Sequence, residues 1–349
     1  MIKVLIVEDS PVVRELLLYI LSSDPEIRVI GTANNGEEAV EFVQRDRPDV
    51  ITMDINMPRM NGLDATRAIM ETNPVPIIIV SGSYDVKEVD TTFRAMDAGA
   101  VAAVARPGGI GHPDHETTKK ELLHTVKLMS EVKVVKRWKH YRQKEAAPVI
   151  KQDYKSDIIA ISSEIRLVAI GVSTGGPPVL QAILSGLPKD FGVPVLIVQH
   201  IAAGFLGGML EWLGKSSAIP LHTAIHEGPV LPGHAYFAPD GFNMGVDRQG
   251  RTILSKDVPE NGVCPSVSFL FRSVAAVYGQ KAVGVLLTGM GKDGAEELKL
   301  MRDKGAVTIV QDRESSVVYG MPGEAIRLGA AAYVLSPDRI TAMLSYLKT

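Results

Sequence analysis

The chain has 349 residues, 37 Lys and Arg against 40 Asp and Glu, and a formal net charge of -3. That length predicts two domains, each with its own core, and the charge argues against a surface dedicated to nucleic acid. No apolar run reaches the roughly 18 residues of a membrane span, and Met1-Ile2-Lys3-Val4-Leu5 begins as a strand rather than a signal peptide; a soluble, cytoplasmic monomer without membrane insertion is expected.

Residues 1–125 alternate short β-branched runs with segments of helical period. The runs are Val4 to Val7, Val29 to Thr32, Val50 to Met53, Ile77 to Val80 and Val101 to Val104. Five βα units predict a parallel, doubly wound sheet of flavodoxin-like strand order. Glu8 and Asp9 close the first strand, ahead of Ser10 as N-cap and Pro11 at the first helical position, and Asp54 closes the third. Neighbouring first and third strands would bring the three carboxylates into one crevice at the switch point. Clustered carboxylates need a cation, and an all-oxygen donor set favours Mg²⁺. The alternative is that Glu8 and Asp9 only cap a helix.

Val7-Glu8-Asp9-Ser10, Met53-Asp54-Ile55-Asn56-Met57-Pro58, Asn61-Gly62, Ser81-Gly82-Ser83 and Arg106-Pro107 resemble the receiver domain of response regulators. The resemblance implies that Asp54 accepts a phosphoryl group, that Glu8 and Asp9 hold Mg²⁺ with Asp54, and that Ser81 senses the phosphoryl group. Arg106 stands where receivers usually carry lysine. Arginine keeps the charge but is longer and planar, so phosphoryl contact is expected with altered switching geometry.

A helical pattern from Glu116 to Trp138 runs into eight Lys or Arg between Lys133 and Lys155, opposed by Glu145 and Asp153 and broken at Ala146-Ala147-Pro148. Residues 126–160 are expected to form a helical, basic linker whose charge is solvated or meets an acidic partner.

Residues 161–349 again alternate strand and helix, with apolar runs at Leu167 to Val172, Val195 to Gln199, Ala282 to Leu287, Ala306 to Val310 and Ala332 to Leu335. Leu221 to Leu254 has shorter runs broken by Pro229, Pro232-Gly233, Pro239-Asp240-Gly241 and Asp247-Arg248-Gln249-Gly250, and is expected to add antiparallel hairpins to a mostly parallel sheet. Ser173 ends the first run, flanked by Gly171, Gly175 and Gly176. This G-x-S-x-G spacing suits a nucleophile on a strand-to-helix turn, where small neighbours admit a carbonyl. A helix cap, a phosphate loop and a dinucleotide loop are the alternatives. His200 and Asp293 lie just past two further strands, so all three side chains share one predicted rim. There His200 would take the proton of Ser173, Asp293 would orient the imidazole, and the small residues Thr288 to Gly294 would aim an amide such as that of Met290 at an oxyanion. A core histidine and a helix-capping aspartate are the competing readings. Cys264 is the single cysteine, which excludes an internal disulfide, and a metal site from His222, His226 and His234 is not expected in a hairpin region.

Gly171-Val172-Ser173-Thr174-Gly175-Gly176-Pro177, Gln199-His200, Pro232-Gly233-His234-Ala235-Tyr236, Pro265-Ser266-Val267, Leu270-Phe271-Arg272-Ser273-Val274, Leu287 to Ala295 and Gly320-Met321-Pro322 resemble the chemotaxis protein-glutamate methylesterases, which join a receiver to an esterase domain. The resemblance implies a Ser173, His200 and Asp293 triad, with Thr174 and Met290 on the oxyanion side. It implies hydrolysis of glutamyl methyl esters, and deamidation of glutamines, on the cytoplasmic helices of methyl-accepting chemoreceptors. It also implies a chemotaxis histidine kinase as phosphodonor and a receiver that covers the catalytic rim until Asp54 is phosphorylated. Against the family pattern, Cys264 and Ser268 stand for arginine and aspartate, Ile201-Ala202-Ala203 for a methionine-proline segment, Leu206 for threonine and Gly323 for arginine. These departures are expected to change rim charge and receptor docking rather than the triad. A non-catalytic response regulator whose second domain binds a partner is the remaining alternative.

Overall fold

A computed structural model describes residues 1–82, 86–132, 134, 165–256, 260 and 262–347, with side chains omitted for 86–90. The chain divides into two compact units, Met1–Gln143 and Lys144–Thr349. The basic run expected between Lys133 and Lys155 lies outside the described residues except for Val134. No helix among the described residues is long and apolar enough to cross a membrane.

In the first unit β1 (Ile2–Val7), β2 (Ile27–Ala33), β3 (Val50–Met53), β4 (Ile77–Ser81) and β5 (Ala102–Ala105) form a parallel sheet of order β2-β1-β3-β4-β5. Every residue of β3 and β4 is buried, as both faces of a helix-covered parallel sheet require. The helices are α1 (Pro11–Ser22), α2 (Gly36–Arg45), α3 (Gly62–Thr72), α4 (Val86–Ala98) and α5 (His115–Ser130). Local chemistry sets their starts: Pro11 opens α1, and the Asn35 and Asn61 side chains accept from the Glu38 and Asp64 amides at 3.0 and 2.9 Å. Val7 pairs with Met53, so Glu8 and Asp54 leave adjacent strands side by side.

In the second unit β6 (Leu167–Val172), β7 (Val195–Gln199), β8 (Leu221–Thr223), β9 (Ala235–Phe237), β12 (Ala282–Leu286), β13 (Val307–Gln311) and β14 (Tyr333–Leu335) make a parallel sheet of order β14-β13-β12-β6-β7-β9-β8. The helices are α6 (Gly176–Gly186), α7 (Leu206–Gly214), α8 (Val267–Val277), α9 (Ala295–Asp303), α10 (Met321–Arg327) and α11 (Pro337–Leu344). The stretch from Leu221 to Leu254 divides in two. Its second half, β10 (Asn243–Val246) and β11 (Thr252–Ser255), is the expected antiparallel hairpin around Asp247-Arg248-Gln249-Gly250. Its first half extends the main sheet instead, since β8 and β9 pair in parallel with His222 opposite Tyr236. Residues 224–234 give the chain length for a crossover, whereas only the shorter turn suits a hairpin.

Helix α8 crosses one face of this sheet, burying Val267, Leu270, Phe271 and Val274 in the core with Leu286, Leu298 and Met321. Its first residue seats in a gap left by two glycines. A Cβ on Gly171 would lie 2.2 Å from Val267 Cγ1, and one on Gly294 would lie 2.4 Å from it. Gly171, expected to give a carbonyl room beside Ser173, instead makes room for this helix.

Candidate active site

The rim of the second sheet is assembled from register. Val172 of β6 pairs with Gln199 of β7, and the His200 amide donates to the Val172 carbonyl at 2.9 Å. On the other side of β6, the Ser173 amide donates to the Thr288 carbonyl at 3.0 Å. Ser173 therefore stands between the ends of β7 and β12, buried but for 8% of its surface, with His200 on one flank. Gly175 adopts a left-handed φ of 76° at the cap of α6, which lets the chain turn from strand to helix within a few residues.

His200 Nε2 lies 3.0 Å from Asp293 Oδ2, which leaves Nδ1 for the serine side. Among the described residues no hydrogen bond joins the Ser173 hydroxyl to His200. Catalytic contacts are often loose until substrate binds. Asp293 itself sits on the N-terminus of α8. It accepts from Ser266 Oγ at 2.9 Å, from the Val267 amide at 2.7 Å and from the Ser268 amide at 3.2 Å. Burial alone would raise the Asp293 carboxyl, but the His200 contact and the donors of α8 outweigh it and hold the group far below the usual carboxylate range. Ser268, read as a missing rim charge, is 2% exposed, and its hydroxyl accepts from the Gly294 amide at 2.9 Å. It belongs to the cradle of Asp293. That role is not visible in spacing, because α8 arrives from elsewhere in the chain.

Thr288 ties the loops around Ser173 together. Its hydroxyl lies 2.9 Å from the Thr174 carbonyl and accepts from the Val318 amide at 3.0 Å. The Gly320 and Met321 amides both donate to the Gly289 carbonyl, at 3.0 and 2.9 Å. Thr174 and Met290 are thus carried by two loops stitched to each other beside the serine, and a Cβ on Gly289 would lie 2.7 Å from Ser173 Cβ.

The first unit brings Glu8, Asp9 and Asp54 together, with one ligand atom of each within 4.8 Å of the others. Arg106 Nη2 lies 3.4 Å from Asp54 Oδ1 and 3.7 Å from Glu8 Oε2. A Cβ on Gly82 would meet this guanidinium at 2.7 Å, so glycine after Ser81 makes room for an arginine in place of the shorter lysine. Ser81 ends β4 opposite Ala105, and its carbonyl accepts from the Arg106 amide at 2.7 Å. Burial, then the Asp54 charge, push the Glu8 carboxyl up to about 7 despite Arg106. Glu8 Oε2 is buried with no hydrogen-bond partner among the described residues. A hard divalent cation fits this all-oxygen set, since it would satisfy that atom and offset the crowding of acids.

His222 Nε2 and His234 Nδ1 hydrogen bond to each other at 2.8 Å, while His226 Nδ1 accepts from the Leu254 amide at 3.1 Å.

Comparison with known proteins adds the following. The family model for CheB methylesterase matches residues 168–344, and that for the response regulator receiver domain matches residues 4–112. A "Protein-glutamate methylesterase/protein-glutamine glutaminase" of Nitrosospira multiformis is 57% identical over 347 residues, covering 99% of this chain and 97% of its own. A relative of the same description from Geobacter metallireducens is 57% identical over 348 residues, covering 99% of both chains. Among solved structures, the CheB methylesterase catalytic domain of Thermotoga maritima is 37% identical with a TM-score of 0.51, covering 53% of this chain and 99% of its own.

Proposed function

The chain belongs to the CheB family of protein-glutamate methylesterases, in the form that carries a receiver domain, and from that premise we propose that Ser173, His200 and Asp293 hydrolyse glutamyl methyl esters on chemoreceptors under control of phosphorylation at Asp54. The observation that carries the reading is the 3.0 Å contact of His200 with a buried Asp293 at the strand end beside Ser173. With Nε2 held by Asp293, His200 Nδ1 is the base. It takes the hydroxyl proton as Ser173 Oγ attacks the γ-carbonyl, and Asp293 stabilises the imidazolium. Amides of the Thr174 and Met290 loops face the oxyanion of the tetrahedral intermediate. Collapse expels methoxide, which takes the proton from His200 and leaves as methanol. Water, deprotonated by the same nitrogen, then attacks the glutamyl ester of Ser173; the serine regains its proton and glutamate is released. The glutaminase reaction in the relatives' names follows the same course from a glutamine, with ammonia as leaving group.

In the receiver, Glu8, Asp9 and Asp54 would hold Mg²⁺, which supplies charge neutralisation for phosphoryl transfer. Arg106 places its guanidinium where a phosphoryl group on Asp54 would gain a second cation. The phosphodonor is a chemotaxis histidine kinase, and the substrates are the cytoplasmic helices of methyl-accepting receptors. The domains run 1–125 for the receiver and 161–349 for the esterase, with 126–160 as linker.

Ser173→Ala tests the nucleophile. It is expected to abolish methanol release from a methylated receptor fragment while the melting temperature stays with that of the parent. Full activity in this variant contradicts the assignment.

A further inference from the structure

The triad is not the only group that sets the distance between nucleophile and base. Gln199, the last residue of β7, is 5% exposed, and its side chain turns back across the rim. Its Nε2 donates to the Ser173 carbonyl at 2.9 Å and to the His200 carbonyl at 2.7 Å. One carboxamide thereby bridges the main chain of the nucleophile and that of the base. Two carbonyl acceptors on one side fix the amide orientation, because only its NH₂ end can serve them. The opposite end is fitted with equal care. Gln199 Oε1 is buried without a hydrogen-bond partner among the described residues, and a Cβ on Gly176 would lie 2.4 Å from it. The orphaned oxygen is the cost of directing both donors at the catalytic pair. Gly176, the first residue of α6, leaves space for this oxygen and for Val172 Cγ2, which a Cβ would meet at 2.3 Å, and its own amide donates to the same Ser173 carbonyl at 2.9 Å.

The geometry points to Gln199 as a positioning residue that locks Ser173 to His200 through their carbonyls, with Gly176 conserving the space for its amide group within this chain. The inference rests on Ser173 being the nucleophile. It touches no substrate; it acts by narrowing the arrangements in which the serine hydroxyl meets Nδ1.

The test is the rate of labelling of Ser173 by a fluorophosphonate, measured on the full chain with its end-point stoichiometry. Gln199→Met keeps the volume and removes both donors. It is expected to reach the parent's stoichiometry with a rate constant lower by about ten- to a hundred-fold. Gln199→Glu keeps the shape. Its rate is expected to fall further below the parent's as the pH rises, because the ionised carboxylate then faces two carbonyl oxygens. A Gln199→Met rate equal to the parent's overturns the inference, as does a loss confined to stoichiometry, which marks unfolded protein only. A parent that is not labelled at all contradicts the nucleophile assignment and takes this inference with it.

Discussion

Two carboxyls in this chain are driven in opposite directions by what surrounds them. Asp293 is surrounded by donors, so it stays ionised throughout the range in which a histidine titrates. Glu8 is buried beside Asp54, and burial followed by the Asp54 charge raises it to about 7 against the opposing pull of Arg106 and the Ser10 amide. The sign for stability follows. A carboxyl that ionises near 4.5 in the unfolded chain but near 7 in the folded one stabilises the fold below 4.5, and that contribution is lost as pH rises through 7. Without divalent cations, the receiver's melting temperature is expected to fall across this window, to recover with Mg²⁺ chiefly at the alkaline end, and to lose the Glu8 contribution in Glu8→Gln. A Glu8→Gln variant with an unchanged pH slope contradicts it. At this scale the sequence supplied the identities: Glu8, Asp9, Asp54, Ser173 and His200 sit at strand ends readable from apolar runs, and Asp293 lies in the glycine-rich loop between β12 and α9. It did not supply Ser266, Ser268 or Gln199 as partners, because their contacts depend on how buried side chains fold back over the rim.

The element that organises the esterase rim is α8. Its N-terminus presents oriented amides to Asp293, and its first side chain packs into the space over Gly171 and Gly294. A methyl group on Gly171 would meet Val267 Cγ1 at 2.2 Å, so Gly171→Ala is expected to cost about 1–3 kcal/mol in stability. It should also lower methanol turnover, since Val267 carries the amide that binds Asp293. A denaturation midpoint and a turnover rate both equal to the parent's would refute this packing account. Read along the chain, Gly171 belongs to the serine motif; in the fold it belongs to the helix. The division of Leu221 to Leu254 has a similar origin. Short apolar runs with prolines fit both a hairpin and a crossover, and only the length of the intervening chain separates the two.

At the scale of the whole molecule, two doubly wound units place their chemistry at the carboxyl ends of their strands. One gathers acids and Arg106 around Asp54, and the other gathers Ser173, His200 and Asp293. Coupling between them requires that the phosphorylated receiver favour a more active state of the esterase by a differential free energy. The alternation of strand and helix made both units legible in the sequence; how the linker expected at 126–160 transmits the signal was not, because its basic run carries charge but no motif that names a partner. The central claim is that Asp54 governs ester hydrolysis at Ser173. The most direct measurement is methanol release from a methylated receptor fragment by the full chain, with and without a small-molecule phosphodonor and Mg²⁺, in the parent and in Asp54→Asn. The account predicts release that the phosphodonor stimulates in the parent and leaves at its basal rate in Asp54→Asn. Equal stimulation of both, or no release from the parent, would contradict it.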